Sequence, residues 1–449
     1  MLRLSFTIAF AVFVCPGASL AQEVLLAAAP SSAANRRPSP DSAAPASPAD
    51  TASSESEETP TPTPSSTTLS SPAPRANGWP SWSRATGDWN GLRRSLETHG
   101  VEVGVTVTSD VSHTRSSRLG VAALGRALID TSTAFDLETL LGLPGTTVFV
   151  QHLARVGNDG NQCSGDHQGF SNIDAPPFAH AGELWIEQSI VPDRLRVKAG
   201  RIDANTEFAA VDAAGAFLNS SMGYSPTILL LPTYPDPRLG AIVAADPLPV
   251  LSVKAGVYDG TSPDCDVFET PDEDLFLIAE VATAWTLGAS GRPGRAAVGV
   301  WRHTGTLRRL DGEGTMRGTQ SPFVTVEQTL WQAGDDDDAP RARAFAQYGS
   351  ASGLASEIER HVGGGVVFEG FQRSRPSDAL GLAVTSIRLS SRAVDAEEDG
   401  TETALAGFYR HQLTPWLAVQ PDLQWVVHAE GRAPRHSALL ATVRLQVVF

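Results

Sequence analysis

The chain has 449 residues, 41% of them hydrophobic and 40 of them glycine, with 34 basic against 50 acidic side chains for a net charge of -16. No internal stretch approaches the roughly 20 consecutive apolar residues of a membrane helix, so a helical membrane protein is excluded. The acidic balance repels phosphate backbones, and nucleic acid is not an expected partner. Lys198 and Lys254 are the only lysines; every other basic residue is arginine, through codon bias or a functional preference for guanidinium.

The chain opens on MLRLSFTIAFAVFVCPGASLAQ, with Arg3 ahead of an apolar run to Val14 and small residues Ser19 and Ala21 before Gln22. This pattern predicts a secretory signal peptide over 1–21. Val14 and Phe13 precede Cys15 where a lipid-anchoring signal requires small residues, so no lipid anchor is expected. In an exported protein the remaining Cys163 and Cys265 are allowed to form a disulfide. Residues 22–84 are dominated by Ala, Pro, Ser and Thr, as in PASPADTASSESEETPTPTPSSTTLSSPAP, and such a segment buries too little apolar surface to offset its ordering. A disordered tether is expected there. GDWNGLRRSLETHG then places Trp89, Leu92 and Leu96 at helical spacing and ends on Gly100, predicting a short amphipathic helix.

From Val101 the period changes to two. VEVGVTVTSDV, DRLRVKAG, LSVKAGVYDG and WLAVQPDLQWVV each set an apolar row against a more polar one. The last stretch, HSALLATVRLQVVF, sets Leu439, Ala441, Val443, Leu445 and Val447 against Thr442, Arg444 and Gln446. About sixteen such segments fit between 101 and 449. Their connections alternate in length: 142–145, 191–193, 246–249, 289–294, 374–377 and 413–415 are short, whereas 157–180, 204–238, 259–274, 305–319 and 391–401 are long. A soluble sandwich has no reason to segregate turns in this way; an outer-membrane barrel, with tight periplasmic turns and long external loops, does. The predicted fold is therefore an all-β transmembrane antiparallel barrel of about 16 strands over 85–449, with a short N-terminal periplasmic helix. It is embedded in outer-membrane lipids, and Phe449 ends the last strand where barrel-assembly machinery would dock. The run GDDDDAP at 334–340 reads as a solvated turn, because it lacks the spaced ligands of a calcium loop.

Several stretches, in order, resemble the carbohydrate-selective porin family: GDWNGLRRSLETHGVEV, FDLETLLGLPGTTVFVQ, GDHQGFSNIDAP, ELWIEQSIVPDRLRVKAGRIDANTEF, VGGGVVFEGFQRSRPSDALGLAV and YRHQLTPWLAVQPDLQWVV. The resemblance implies passive diffusion of mono- and small oligosaccharides through a constricted, charge-lined pore.

Within such a pore, alternation turns Glu183, Trp185 and Glu187 inward beside Arg194, Arg196 and Lys198. Adjacent carboxylates and basic groups can exchange hydrogen bonds with sugar hydroxyls, and the face of Trp185 is expected to stack on a pyranose ring. The equally simple reading is that these charges pair across strands as a polar wall. The longest loop, ANTEFAAVDAAGAFLNSSMGYSPTILLLPTYPDP, is too apolar to float in water and is expected to fold into the barrel beside GDHQGFSNIDAP. Glu207, Asp212, Asn219, Asp166 and His167 are then candidate constriction residues. There is no CxxC, HExxH or GxSxG, and His152 and His303 lack partners at metal-ligand spacing, so neither an enzyme, a cofactor nor a metal is expected. Two other classes compete: a general or anion-selective pore, for which the Arg-rich wall is the relevant feature, and a barrel enzyme, which needs a nucleophile, base and acid at the rim.

Overall fold

In the computed structural model, which describes residues 78–261, 274–288, 291–334, 339–372, 375–392, 400–429 and 436–449, sixteen strands close into one antiparallel barrel. The first four are β1 (Val101–Ser116), β2 (Gly120–Asp136), β3 (Thr146–Gly157) and β4 (Phe178–Val191). Then come β5 (Leu195–Ile202), β6 (Arg238–Leu248), β7 (Leu251–Asp259) and β8 (Leu275–Leu287). The next four are β9 (Arg292–Arg308), β10 (Thr315–Gln332), β11 (Arg341–Ser350) and β12 (Ile358–Glu369). Last are β13 (Ala379–Leu389), β14 (Thr401–Thr414), β15 (Leu417–Ala429) and β16 (His436–Val448). Every strand pairs with its sequence neighbours, and β16 returns to β1 with Thr106 opposite Val448 and Ser116 opposite Ala438. Closure leaves no strand edge to be desolvated in lipid.

The two rows predicted by alternation separate as expected. Val443 and Leu423 remain 50% and 54% exposed on the outer surface, where lipid covers them, while Thr442, Arg444, Asp422 and Gln424 are buried inside. Short connections at 192–194, 249–250, 288–291 and 415–416 share one end, and the long ones at 158–177, 203–237 and 260–274 share the other. The expected long loop at 305–319 is mostly strand. Alternation persists through Leu307 and Met316, which pair across the hairpin, and only 309–314 connects β9 to β10. The acidic run at 335–338 lies outside the described residues.

The N-terminal helix, α1, spans Leu92–Thr98 behind a single 3-10 turn at Trp89–Gly91, and Gly100 at φ 83° ends it. A second short helix, α2 (Leu137–Leu141), sits in the β2–β3 connection, capped by Asp136, whose carboxylate accepts from the Glu138 N–H at 3.0 Å. Residues 78–98 dock where β1 begins and β16 ends. Ala85 N–H donates to the Val448 carbonyl at 2.8 Å, Arg93 Nη1 donates to the Phe449 carbonyl at 3.1 Å, and the rings of Trp79 and Trp416 lie 4.4 Å apart.

The seam between β1 and β16 carries a buried ion pair. Arg444 donates from Nε and Nη2 to Asp110 at 2.7 and 2.8 Å, and Ser112 and Thr442 share a hydrogen bond of 2.8 Å one pair away. Removing one member of a buried pair leaves the other charge uncompensated, at a cost of about 3–5 kcal/mol. Asp110→Ala should therefore lower the temperature at which the folded band converts on an unboiled gel. Val443→Arg, which puts a charge into lipid at about 2–4 kcal/mol near the midplane, should impair assembly in the same assay, and normal folding of both variants would contradict the facing and the seam described here.

Candidate functional site

The site is the lumen, and its shape is set by the β5–β6 loop (203–237). This loop carries two phenylalanines into two neighbouring stretches of the wall. Phe208 joins Tyr258, Phe276, Trp301 and Phe323 of β7 to β10 in one buried cluster. Phe217 packs edge-on against Phe345 of β11 and Phe408 of β14, with centroids 5.8 and 4.8 Å away. Each ring is seated over a wall glycine: a Cβ added at Gly256 would lie 3.0 Å from Phe208, and one at Gly381 would lie 2.8 Å from Phe217. Burying two such rings contributes roughly 1.5–3 kcal/mol apiece, enough to hold the loop across the lumen.

A chain inside a barrel must also satisfy its backbone, and wall side chains do this in a regular way. Wall glutamates accept loop N–H groups: Glu183 from Asp203 at 3.0 Å, Glu280 from Ala209 at 2.8 Å, and Glu327 from Asp212 and Ala213 at 3.2 and 2.7 Å. Wall glutamines donate to loop carbonyls: Gln347 to Ser221 and Met222, Gln420 to Ala216, and Gln424 to Phe170. The β3–β4 loop (158–177) is pinned likewise, with the His167 N–H on Glu402 at 2.8 Å and Ser171 Oγ donating to Asp110 at 2.6 Å. Gln168 and Thr385 link it to His361, which also bonds Ser225 of the longer loop.

One dense charge cluster lies at Glu207. Its carboxylate receives Arg196 at 2.5 and 3.1 Å and Lys198 at 2.6 Å, while Lys254 stands 3.6 Å away and donates to the Glu207 carbonyl at 2.8 Å. Arg196 also bonds Glu187 at 2.7 Å. Burial by itself would raise the Glu207 carboxyl, but Lys198, Arg196 and Lys254 hold it down at about 2.

Of the residues singled out in the sequence, Glu187, Arg196, Lys198 and Glu207 meet in this cluster. Asp212 stands exposed at the loop's crossing. Glu183 is a loop pin, and so is Asn219, which caps α3 (Ser220–Gly223) and donates to Gln424 at 3.1 Å. Asp166 accepts from Ser164 Oγ in the β3–β4 loop, where burial pushes its carboxyl up, and the exposed His167 contributes its backbone. Arg194 belongs to the turn before β5 and stands apart from the cluster. The expected sugar platform of Trp185 is not presented. Its ring is 8% exposed, stacked 5.0 Å from Phe149 and capped by Lys198 Nζ at 4.3 Å. Cys163 is half-buried beside Phe170 and Leu124, and the proposed partner Cys265 lies outside the described residues. Glu280, Arg295 and Glu327 were not among the residues singled out, and Lys254 stood out only as a rare lysine, not as a pore residue. Inward parity marks Glu280 two and four residues after Ile278 and Phe276, and Lys254 is one of only two lysines.

Beyond Glu207 the wall charges are paired as well: Arg295 with Glu280 at 2.7 Å, Arg341 and Arg343 with Glu369 at 2.5 and 2.7 Å, and Arg155 with Asp174 at 3.0 Å. A closed sixteen-stranded barrel with polar side chains inside and a loop folded across its channel is the architecture of an outer-membrane porin. The chain belongs to the carbohydrate-selective porin, OprB family, whose profile matches residues 121–449. It is 22% identical to Porin B of Pseudomonas aeruginosa over 413 residues, covering 81% of this chain and 90% of that one. It is similar in fold to the high-pH structure of Pseudomonas putida OprB, with a TM-score of 0.71 at 18% identity over 82% of this chain and 99% of the other. Against the low-pH structure the TM-score is 0.55 with the same identity and coverage. The protein is thus a multi-pass β-barrel of the outer membrane through which sugars diffuse.

Because the folded-state pKa of Glu207 lies below its ordinary value, its contribution to loop anchoring is complete above about pH 4.5 and is lost as pH falls through about 2. The shift corresponds to about 3 kcal/mol. The Glu207 anchor should therefore contribute no step to open-channel conductance in planar bilayers between pH 7 and 4, so the pH profiles of the wild type and of Glu207→Gln should run parallel across that range. Glu207→Gln, which leaves Lys198 and Lys254 without their carboxylate, should raise conductance and its noise already at pH 7.

Proposed function

We propose that mono- and small oligosaccharides pass along the strip formed by Glu187, Arg196 and Glu207, with Asp212 at the loop crossing, and that this strip gives the pore its preference for uncharged hydroxylated solutes. The observation that carries this reading is pairing. The basic side chains of the strip are matched by carboxylates 2.5–2.7 Å away, so the strip offers dense donors and acceptors with little net field to favour an ion. Arg196 is 24% exposed between its two acids, leaving guanidinium edges that a hydroxyl can reach. Lys198 is turned into the wall and holds Glu207 in place. The signal peptide over 1–21, a tether expected over 22–84 but ending before the docked residues that start at 78, and docking of barrel-assembly machinery near Phe449 remain part of the proposed organisation.

Arg196→Ala leaves Glu207 with both lysines, so the loop should stay anchored. A charge-assisted hydrogen bond contributes about 1.5–3 kcal/mol, and water in an open lumen reduces this. Block of ion current by glucose or maltose should weaken, up to about tenfold in half-blocking concentration for about 1.4 kcal/mol, with a smaller change in open conductance. If sugar block is unchanged and only anion-over-cation preference moves, the protein is a general or anion-selective pore.

A further inference from the structure

The lipid-facing side of β6 to β9 is unevenly filled. In one cross-strand row Ala255 stands opposite Ala279, with Val243 on β6 and Val300 on β9 as their outer neighbours. The next row toward the external end pairs Val257 with Leu277 and continues to Arg302 on β9 and Gln320 on β10. Two alanine methyl groups set among larger, branched side chains leave a trough of about 550 Å³ in the wall. It opens onto lipid, for Val243 and Val300 at its sides are 47% and 50% exposed.

The depth of the trough follows from β9. The outward row of this strand reads Arg292, Gly294, Ala296, Val298, Val300, Arg302, so two arginines enclose a stretch without a polar side chain. Between them the strand climbs about 26 Å at roughly 3.4 Å per residue and a tilt of about 40°. That matches the height of the apolar band, about 25 Å. Arg292 therefore lies at the periplasmic boundary, where it donates to the Leu330 carbonyl, and Arg302 at the external one. Above Arg302 the β9–β10 hairpin continues with Arg317 opposite Thr306 and Arg308 opposite Thr315. Arg302, Arg308 and Arg317 are exposed and have no hydrogen bond or ion pair among the described residues. The acids at the hairpin tip, Asp311 and Glu313, are taken by Arg309.

An apolar trough alone accepts any acyl chain. A basic face directly above it selects a chain whose head is anionic, because guanidinium forks match the oxygens of a phosphate. We propose that the β6–β10 face binds one phosphorylated lipid of the outer leaflet, with an acyl chain lying over Ala255 and Ala279 and its phosphates against Arg302, Arg308 and Arg317. The site is on the opposite side of the wall from the lumen and is independent of the sugar path.

The test uses the purified full-length porin with two probes, bisphosphorylated lipid A and the same lipid with its phosphates removed, and reads retention by native mass spectrometry. The protein should retain the phosphorylated lipid at least tenfold better. Ala279→Leu fills the trough with a side chain that is at home in lipid, so heat-modifiable mobility should stay normal while retention of the phosphorylated lipid falls at least tenfold. Arg302→Gln should keep the trough and lose most of the preference for phosphate. Two controls separate the site from general effects and should change nothing: Ala346→Leu adds the same bulk to the outward face of β11, and Arg115→Gln removes an exposed outward arginine from β1. Equal retention of both lipids by the wild-type protein would overturn the proposal. So would wild-type retention in a folded Ala279→Leu, or a loss in Arg115→Gln equal to that in Arg302→Gln, which would reduce the effect to overall charge.

Discussion

The structure depends on one constraint: polypeptide drawn into the barrel must find hydrogen-bond partners for its backbone at membrane depth. The wall answers with a division of labour. Glutamates at Glu183, Glu280, Glu327 and Glu402 accept N–H groups, and glutamines at Gln347, Gln420 and Gln424 give N–H groups to carbonyls. The lumen is polar therefore for a reason that precedes transport. Phe208 and Phe217 supply the apolar burial that brings the loop inward, and the wall side chains make that position tolerable by pairing with its N–H and carbonyl groups.

The same economy appears at closure. The Asp110 and Arg444 pair joins the first and last strands, and Ser171 from the β3–β4 loop bonds the same carboxylate. Arg126 approaches both Asp110 and Asp174, at 3.7 and 3.8 Å. Closing the barrel and packing its loops are thus coupled through one buried network: a loop that is out of place leaves charges at the seam without their full set of partners, which is costly where water is scarce.

Much of this was legible in the sequence because alternation is a local property. The inward placing of Glu187, Arg196 and Lys198 and the outward placing of Val443 and Leu439 follow from parity alone, and the apolar content of the long loop predicted that it would fold inward. Partners were not legible. Trp185 has inward parity, yet whether an inward ring faces solvent or a neighbour depends on Phe149 of the next strand and on which way Lys198 bends. Glu183 and Asn219 look like pore residues because they are polar and near the lumen; that they serve the backbone of one loop is a matter of three-dimensional register. Arg194 failed for a simpler reason: the turn preceding β5 consumes it, so the ladder starts one step later.

Lys198 and Lys254 are the only lysines in the chain, and both converge on Glu207. Every other basic position is filled by a planar guanidinium, and here, where three cations crowd one carboxylate, two are compact ammonium groups that direct their protons independently. This concentrates the side-chain primary amines of the whole protein at a single place. An acylating reagent small enough to enter from either mouth thus reads one locus, and the rate at which those two amines are modified becomes a direct clock for how often the crossing loop lifts from the wall.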